Sequence, residues 1–202
     1  MPERSLEFWF EFASPYSYVA AMRIEALCEA SGVALTWRAF QLGPIFAKQG
    51  WSTSPFNLNA LRGAYMWRDM ERLTAKFGLP WQRPSEFPRK SVLAARVAAA
   101  YAQAPWIGRY VRRIFIANFG GNCEIEDRRV VATALRDAGA DPDAAIAAAT
   151  QSPLQSRLRE NTERAMSLGI FGAPNCTVDD ELFWGEESLE DAVSWALRLS
   201  IH

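Results

Sequence analysis

Histidine is nearly absent from this chain of 202 residues: its one histidine, His202, is the last residue, and chain ends are where order is least expected. That scarcity removes Ser–His–Asp and Cys–His catalytic units, a histidine-ligated zinc and a histidine general base. Cysteine is scarce too. Cys28, Cys123 and Cys176 lie far apart with no C-x-x-C among them, which argues against dithiol redox chemistry and cysteine-rich metal sites. Neither charge is in excess, with 22 Lys+Arg against 23 Asp+Glu, whereas an electrostatic nucleic-acid binder needs a basic surplus. No apolar run reaches the roughly 18 residues of a membrane span, since even the Ala-rich stretch 92–104 contains Arg96. The start, Met1-Pro2-Glu3-Arg4-Ser5, lacks the basic-then-apolar layout of a secretory signal. The expectation is a cytoplasmic protein with neither nucleic-acid nor membrane partners. An enzyme with this inventory takes its reactive group from a cofactor or co-substrate.

What is present is a composition for a sizeable core: 50% hydrophobic and 22% charged, fitting one compact soluble domain or one domain with a large insertion. Residues 6–12 alternate with period two, placing Leu6, Phe8, Phe10 and Phe12 on one face of a strand. Ser14-Pro15 then opens a helix, serine as N-cap and proline in the first turn, that runs to Ser31-Gly32. A second strand follows over 33–40, so the first forty residues read as a βαβ unit with parallel pairing.

The pattern then changes for over a hundred residues. Gly43, Pro44, Gly50 and Pro55 punctuate a loop, after which Leu58, Leu61, Tyr65, Met66, Met70, Leu73 and Phe77 recur at helical spacing until Gly78 and Pro80. Further helices are expected near 91–103, 105–119, 126–138, 141–150 and 153–168. Strands return at 175–178 and 181–184 around the turn Asp179-Asp180, and 185–188 lead into a last helix carrying Leu189, Ala192, Val193, Ala196 and Leu197. Periodicity alone supports an α/β protein with a helical subdomain. The order βαβ, helical block, ββα suggests more: a thioredoxin-like α/β fold with a large all-helical insertion, whose two halves meet in one sheet and bring residues near 14 and 174 to one cleft.

Five segments carry a family resemblance: Phe10-Glu11-Phe12-Ala13-Ser14-Pro15-Tyr16-Ser17-Tyr18, Gln41-Leu42-Gly43-Pro44-Ile45, Tyr65-Met66-Trp67-Arg68-Asp69, Phe171-Gly172-Ala173-Pro174 and Leu182-Phe183-Trp184-Gly185. Together, in this order and over essentially the whole chain, they resemble 2-hydroxychromene-2-carboxylate isomerases. These are relatives of kappa-class glutathione transferases and, more distantly, of bacterial disulfide oxidoreductases. The resemblance implies a thioredoxin-like domain over 1–45 and 169–202 and an inserted helical domain over 46–168. It implies glutathione as cofactor, a small aromatic acid as substrate, a role in aromatic catabolism and a homodimer. The implied reaction interconverts 2-hydroxychromene-2-carboxylate and trans-o-hydroxybenzylidenepyruvate: a thiolate adds reversibly to the conjugated acid, the ring opens, a bond rotates, and elimination follows. A transferase that consumes glutathione on electrophiles, or a non-catalytic binder of glutathione or aromatic acids, would share the same thiol site.

By that resemblance Ser14 takes the catalytic place, where disulfide oxidases carry their attacking cysteine; its hydroxyl would donate to the thiolate, helped by the helix N-terminus. On local chemistry alone Ser14 reads as an ordinary N-cap, worth about 1 kcal/mol. Ala173-Pro174 matches the family's Val-Pro, whose proline is cis and whose backbone pairs with the cysteinyl group of glutathione; otherwise it ends a loop. Trp184-Gly185-Glu186-Glu187-Ser188 matches Trp-Gly-x-Asp-Arg, suited to the γ-glutamyl end, with Glu187 for Asp and Ser188 for Arg. Its local alternative is an acidic first turn complementing a helix dipole. Asn59 and Arg62 align with an Asn-Pro-x-Lys segment on the substrate side, or are a helix cap and a solvated cation. Phe46 stands where some of these isomerases carry a lysine, with Lys48 two residues on, and Pro88-Arg89-Lys90-Ser91 departs from Pro-x-Asn-Ser/Thr. Cys28 and Cys176 read as buried small hydrophobes, Cys123 as the more exposed thiol. Trp51, Trp67 or Trp81 would wall an aromatic pocket.

Overall fold

The computed structural model describes residues 4–151 and 153–198; His202, and with it the reading of the chain end, lies outside them. Strand β1 (Ser5–Phe10) pairs in parallel with β2 (Ala34–Ala39), from Ser5↔Ala34 to Phe10↔Ala39. On its other edge it runs antiparallel to β3 (Asn175–Val178), with Phe8 opposite Cys176, and β3 pairs antiparallel with β4 (Glu181–Trp184). The sheet order is β2-β1-β3-β4. The strand nearest the start of the chain is thus flanked by partners from both halves, as the βαβ and ββα order requires. Asp179 takes a left-handed φ of 50° in the β3–β4 turn, a conformation that Asp tolerates better than most residues.

Both faces of β1 are covered by helices. Leu6, Phe8 and Phe10, continued by Phe12, are fully buried on one side. There they meet α1 (Pro15–Ala21), α2 (Ile24–Ser31), α7 (Ile107–Phe119) and α11 (Leu189–Arg198) in the main core. Phe12 packs at 5.0 Å from Phe115 and Phe10 at 5.8 Å from Trp37, ring to ring. The expected period-two face is there, but the opposite face is not open to water. Trp9 is fully buried with Phe40, Leu42, Ile45, Ala165 and Ile170, under α3 (Leu42–Lys48) and α10 (Arg157–Ser167). Glu7, on that same side, is tied by Arg38 and Arg164.

Several elements differ from expectation for local reasons. The helix expected over 15–31 is two helices: the chain tightens where the Arg23 N–H bonds the Ala20 carbonyl at 3.0 Å, and the Arg23 side chain pairs with Glu186 and Glu190 from the far end of the chain. The expected loop at Gly43-Pro44 is α3. Both residues sit in its first turn, where the N–H that proline lacks would have had no intrahelical partner. The 58–77 segment divides into α4 (Pro55–Leu58) and α5 (Ala60–Lys76) at Asn59. The remaining helices are α6 (Val92–Ala100), α8 (Arg128–Ala138) and α9 (Pro142–Thr150). The helix expected over 153–168 begins only at Arg157, behind a 3-10 turn at Leu154–Ser156.

Candidate functional site

Where the two sheet halves meet, the end of β1, the turn before β3 and the segment after β4 converge on one cavity of about 1040 Å³. Ser14 stands at its wall as the N-cap of α1, 7% exposed. Its Oγ accepts the Ser17 N–H at 3.2 Å and its hydroxyl donates to the Ala173 carbonyl at 3.0 Å. Two residues 159 positions apart are thereby joined, and the peptide that follows, Ala173-Pro174, is cis. The Pro174 carbonyl accepts the Gly185 N–H at 3.0 Å, which draws the third element into the same corner. Gly185 has φ 99°, a backbone region unfavourable for side chains, and the Glu187 carboxyl lies 2.5 Å from where a Cβ would stand.

The other walls are aromatic and mixed in charge. Phe171 and Trp184 lie 5.0 Å apart at the rim, and both are about half exposed. Phe46 and Trp51, 5.5 Å apart, form another wall. Tyr16 donates to Asp69 at 3.0 Å, and burial, with Asp69 beside it, holds the phenol protonated far above neutrality. Arg62 and Lys90 line the cavity, are exposed, and make no ion pair among the described residues. Arg89, 3% exposed, is committed to structure: it donates to Glu124, to Asn118 and Asn122 Oδ1, and to Ser85 Oγ.

The fold therefore brings Ser14, Ala173, Pro174, Trp184, Gly185, Glu186, Glu187 and Arg62 to one cavity. Asn59 and Ser188 are not among its lining residues. The Asn59 side chain accepts the Arg62 N–H at 3.0 Å and caps α5; the Ser188 hydroxyl donates to the Trp184 carbonyl at 2.9 Å. Glu186 reaches the cavity but is 8% exposed and paired with Arg23. Burial raises its carboxyl and Arg23 opposes that shift. Of the three tryptophans, Trp51 lines the cavity, whereas Trp67 and Trp81 pack on each other and on Phe87 and Phe119. Helical spacing does not say which wall a ring will face. Burial pushes the Cys28 thiol up to about 12 and raises that of Cys176 as well; Cys123 is half-buried. None of the three lines the cavity.

Glu11 is the lining residue that sequence reasoning passed over. Its Oε2 accepts the Leu42 N–H at 3.0 Å, and burial pushes the carboxyl up to about 7, against the opposing pull of that N–H. The available signal was an acid embedded in the otherwise apolar run Phe8-Trp9-Phe10-Glu11-Phe12-Ala13. Among the described residues no cluster of His, Cys, Asp and Glu is arranged to hold a metal ion, and no helix is long and apolar enough to cross a membrane.

The chain is 27% identical over 196 residues to 2-hydroxychromene-2-carboxylate isomerase of Sphingobium xenophagum, covering 96% of this chain and 98% of that one. To the Pseudomonas putida protein of the same name it is 26% identical over 186 residues, 91% and 90% of the two chains. A solved 2-hydroxychromene-2-carboxylate isomerase superposes with a TM-score of 0.83 at 25% identity, over 97% of this chain and 96% of that one. A probable DsbA oxidoreductase from Streptomyces coelicolor shares the fold, with a TM-score of 0.74 at 18% identity over 96% and 90% of the chains. The family model for the DSBA-like thioredoxin domain matches residues 5–194, and with the sheet order and the Ser14–Ala173 corner it places the chain: this protein belongs to the DSBA-like thioredoxin family.

Proposed function

We propose that this protein is a glutathione-dependent isomerase that interconverts 2-hydroxychromene-2-carboxylate and trans-o-hydroxybenzylidenepyruvate. The observation that carries the proposal is the Ser14 corner: a serine hydroxyl, not a thiol, stands at the N-cap of α1, 3.0 Å from the carbonyl before a cis proline, on the wall of a large aromatic cavity. Such a corner can position and polarise a borrowed thiol but cannot form a disulfide of its own.

The residues present fit glutathione. The Ala173-Pro174 backbone offers an edge for its cysteinyl group, and Glu187, exposed at the mouth and without an ion pair among the described residues, suits its ammonium. Glu186 is held by Arg23 and serves to fix the segment. When bound, glutathione supplies a thiolate nucleophile whose reversible addition permits rotation about the substrate's double bond. Ser14, whose hydroxyl donates to the Ala173 carbonyl at 3.0 Å, would be the donor to that sulfur and would favour its ionised form. The substrate's carboxylate is met by Arg62 and Lys90, which supply the positive charge that Phe46 does not. Phe46, Trp51 and Phe56 enclose its ring and exclude water.

The test is a progress curve with excess hydroxychromene carboxylate and substoichiometric glutathione, following the absorbance change and the remaining free thiol together. Full equilibration with the thiol undiminished is the expected result. Loss of thiol in step with product would make the protein a transferase. Tight binding of glutathione or aromatic acid without turnover would make it a binding protein.

A further inference from the structure

The acids of the cavity differ in what they face. Asp69 accepts from Tyr16 and pairs with Arg72, Glu186 pairs with Arg23, and Glu187 is exposed to water. Glu11 is half-buried and has no side-chain partner among the described residues. It follows the last residue of β1, its own carbonyl accepts the Ser14 N–H at 3.0 Å, and its Oε2 is fixed by the Leu42 N–H at the start of α3. Oε1 takes no hydrogen bond among the described residues, and the side chain lines the cavity.

No charged side chain answers Glu11. The cavity residues on the neighbouring elements are uncharged: Ser14 and Tyr16 at α1, Gln41 and Phe46 at α3, and Ala173 in the turn before β3. The charged lining residues Arg62, Asp69, Arg89, Lys90, Glu186 and Glu187 belong to α5, to the segment before α6 and to the segment after β4. Burial and the Leu42 N–H are the influences on its titration, which falls close to neutrality. A half-buried acid on a cavity wall, with one oxygen fixed and the other free, is built to exchange a proton.

Resting on the isomerase reading above, we propose that Glu11 carries the proton in the ring-opening step, its Oε1 taking it from the C2 hydroxyl of the substrate and returning it to the ring oxygen. Opening breaks the bond between C2 and the ring oxygen, and that electron pair stays on the oxygen. The electron pair of the hydroxyl O–H bond becomes the second bond of the new C2 carbonyl. The proton passes through Glu11 from one oxygen to the other, leaving a phenol and a ketone. No atom is gained or lost, and Glu11 ends as the carboxylate it began as. Closure uses the same ionised form in reverse.

The test compares wild type with Glu11→Gln, which keeps a side-chain oxygen for the Leu42 N–H, by measuring kcat/KM from pH 5 to 9 alongside the ionisation of bound glutathione in the ultraviolet. The expected wild-type profile rises through about pH 7 and then levels. In Glu11→Gln the rate falls about 10²-fold, as loss of a general acid–base does, and the rise near pH 7 disappears while the bound thiol titrates as before. A variant within twofold of wild type, or one that keeps the wild-type limb, overturns the proposal. If wild type binds glutathione but does not turn over the chromene, the isomerase reading itself fails and takes the proton step with it. Should Glu11→Gln not fold, the wild-type protein decides alone: an infrared carboxylic-acid band titrating near pH 7 supports the proposal, and its absence overturns it.

Discussion

Replacing Ser14 by alanine removes two hydrogen bonds with one atom: the cap on the Ser17 N–H and the bond to the Ala173 carbonyl. Each is worth about 1 kcal/mol, so the protein should lose roughly 2 kcal/mol of stability, or about 4–8 °C in melting temperature for a chain of this size. The catalytic cost follows from the same geometry. In the free protein the hydroxyl is already engaged with a neutral acceptor, so its gain on meeting a thiolate is a difference. A bond to a charged group contributes about 1.5–3 kcal/mol and the neutral bond it replaces about 1. The net of roughly 0.5–2 kcal/mol corresponds to about 2- to 30-fold in rate, and to a rise of about one unit in the pKa of the bound glutathione thiol. This is less than the 10²–10³ typical of an oxyanion-hole donor, because the structure does not leave the hydroxyl waiting. Thiol ionisation followed in the ultraviolet, with glutathione saturating, separates the two costs. If Ser14→Ala melts lower as expected but leaves the thiol pKa and the turnover unmoved, Ser14 is a helix cap alone and the reasoning is refuted.

Other consequences are equally open to measurement. Lys90→Met should raise KM for an anionic substrate about fivefold, the cost of one exposed charge pair near 1 kcal/mol, with kcat little changed; an unchanged KM at low salt would remove Lys90 from substrate binding. Arg89→Met keeps the aliphatic stem but strands the buried Asn118 Oδ1, whereas Asn122 Oδ1 keeps the Ser85 N–H at 2.9 Å. Its bond to Glu124, whose side chain is 61% exposed, adds little. The expected loss is about 1–3 kcal/mol, or roughly 2–12 °C by calorimetry, and a fall under about 2 °C would show the network to be dispensable. Glu11→Gln should stabilise the protein at alkaline pH. The Glu11 carboxyl is raised from the ordinary 4.5 to about 7, so between those values the folded state binds the extra proton, and stability falls as pH rises through the window. The cost of the ionised form is roughly 3 kcal/mol at most. Denaturant midpoints should therefore favour the variant at pH 8 and converge toward pH 4.5; parallel curves would refute the assignment.

The strands and their order were legible because each carries a local signal strong enough to survive tertiary context: period-two aromatics in β1, a serine–proline helix start, a two-residue turn at Asp179-Asp180. What escaped depends on partners distant in sequence. Nothing near Met22 and Arg23 interrupts the apolar spacing, and the break is held by Glu186, 163 residues on. Gly43 and Pro44 are loop signals in isolation, yet at the second and third positions of α3 they cost little, because the first turn of a helix lacks intrahelical partners for its N–H groups anyway. Asn59 shows the same ambiguity at the site: a residue able to meet a substrate is equally able to cap a helix, and its side chain is bonded to the Arg62 N–H.

Glu7 and Glu11 share a parity in the same segment, and nothing in the pattern distinguishes them. The fold does, through what it places opposite each. Glu7 lies within the sheet beside β2 and meets Arg38 and Arg164. Burial would raise its carboxyl, but hydrogen bonds from the two guanidinium groups and their charges bring it below the ordinary value, so it stays ionised and serves as a strut. Glu11 lies one residue past the end of β1, where α3 presents a single N–H and no cation. The same residue type thus becomes a fixed charge in one place and an exchangeable proton in the other. The distance between them is four residues, and the difference is made by what each meets: β2 and α10 bring two guanidinium groups to Glu7, and α3 brings one N–H to Glu11. The chemistry of this cavity therefore belongs to the seam between the halves: Ser14 and Glu11 come from the first, Ala173 and Glu187 from the second, and neither half holds the set by itself.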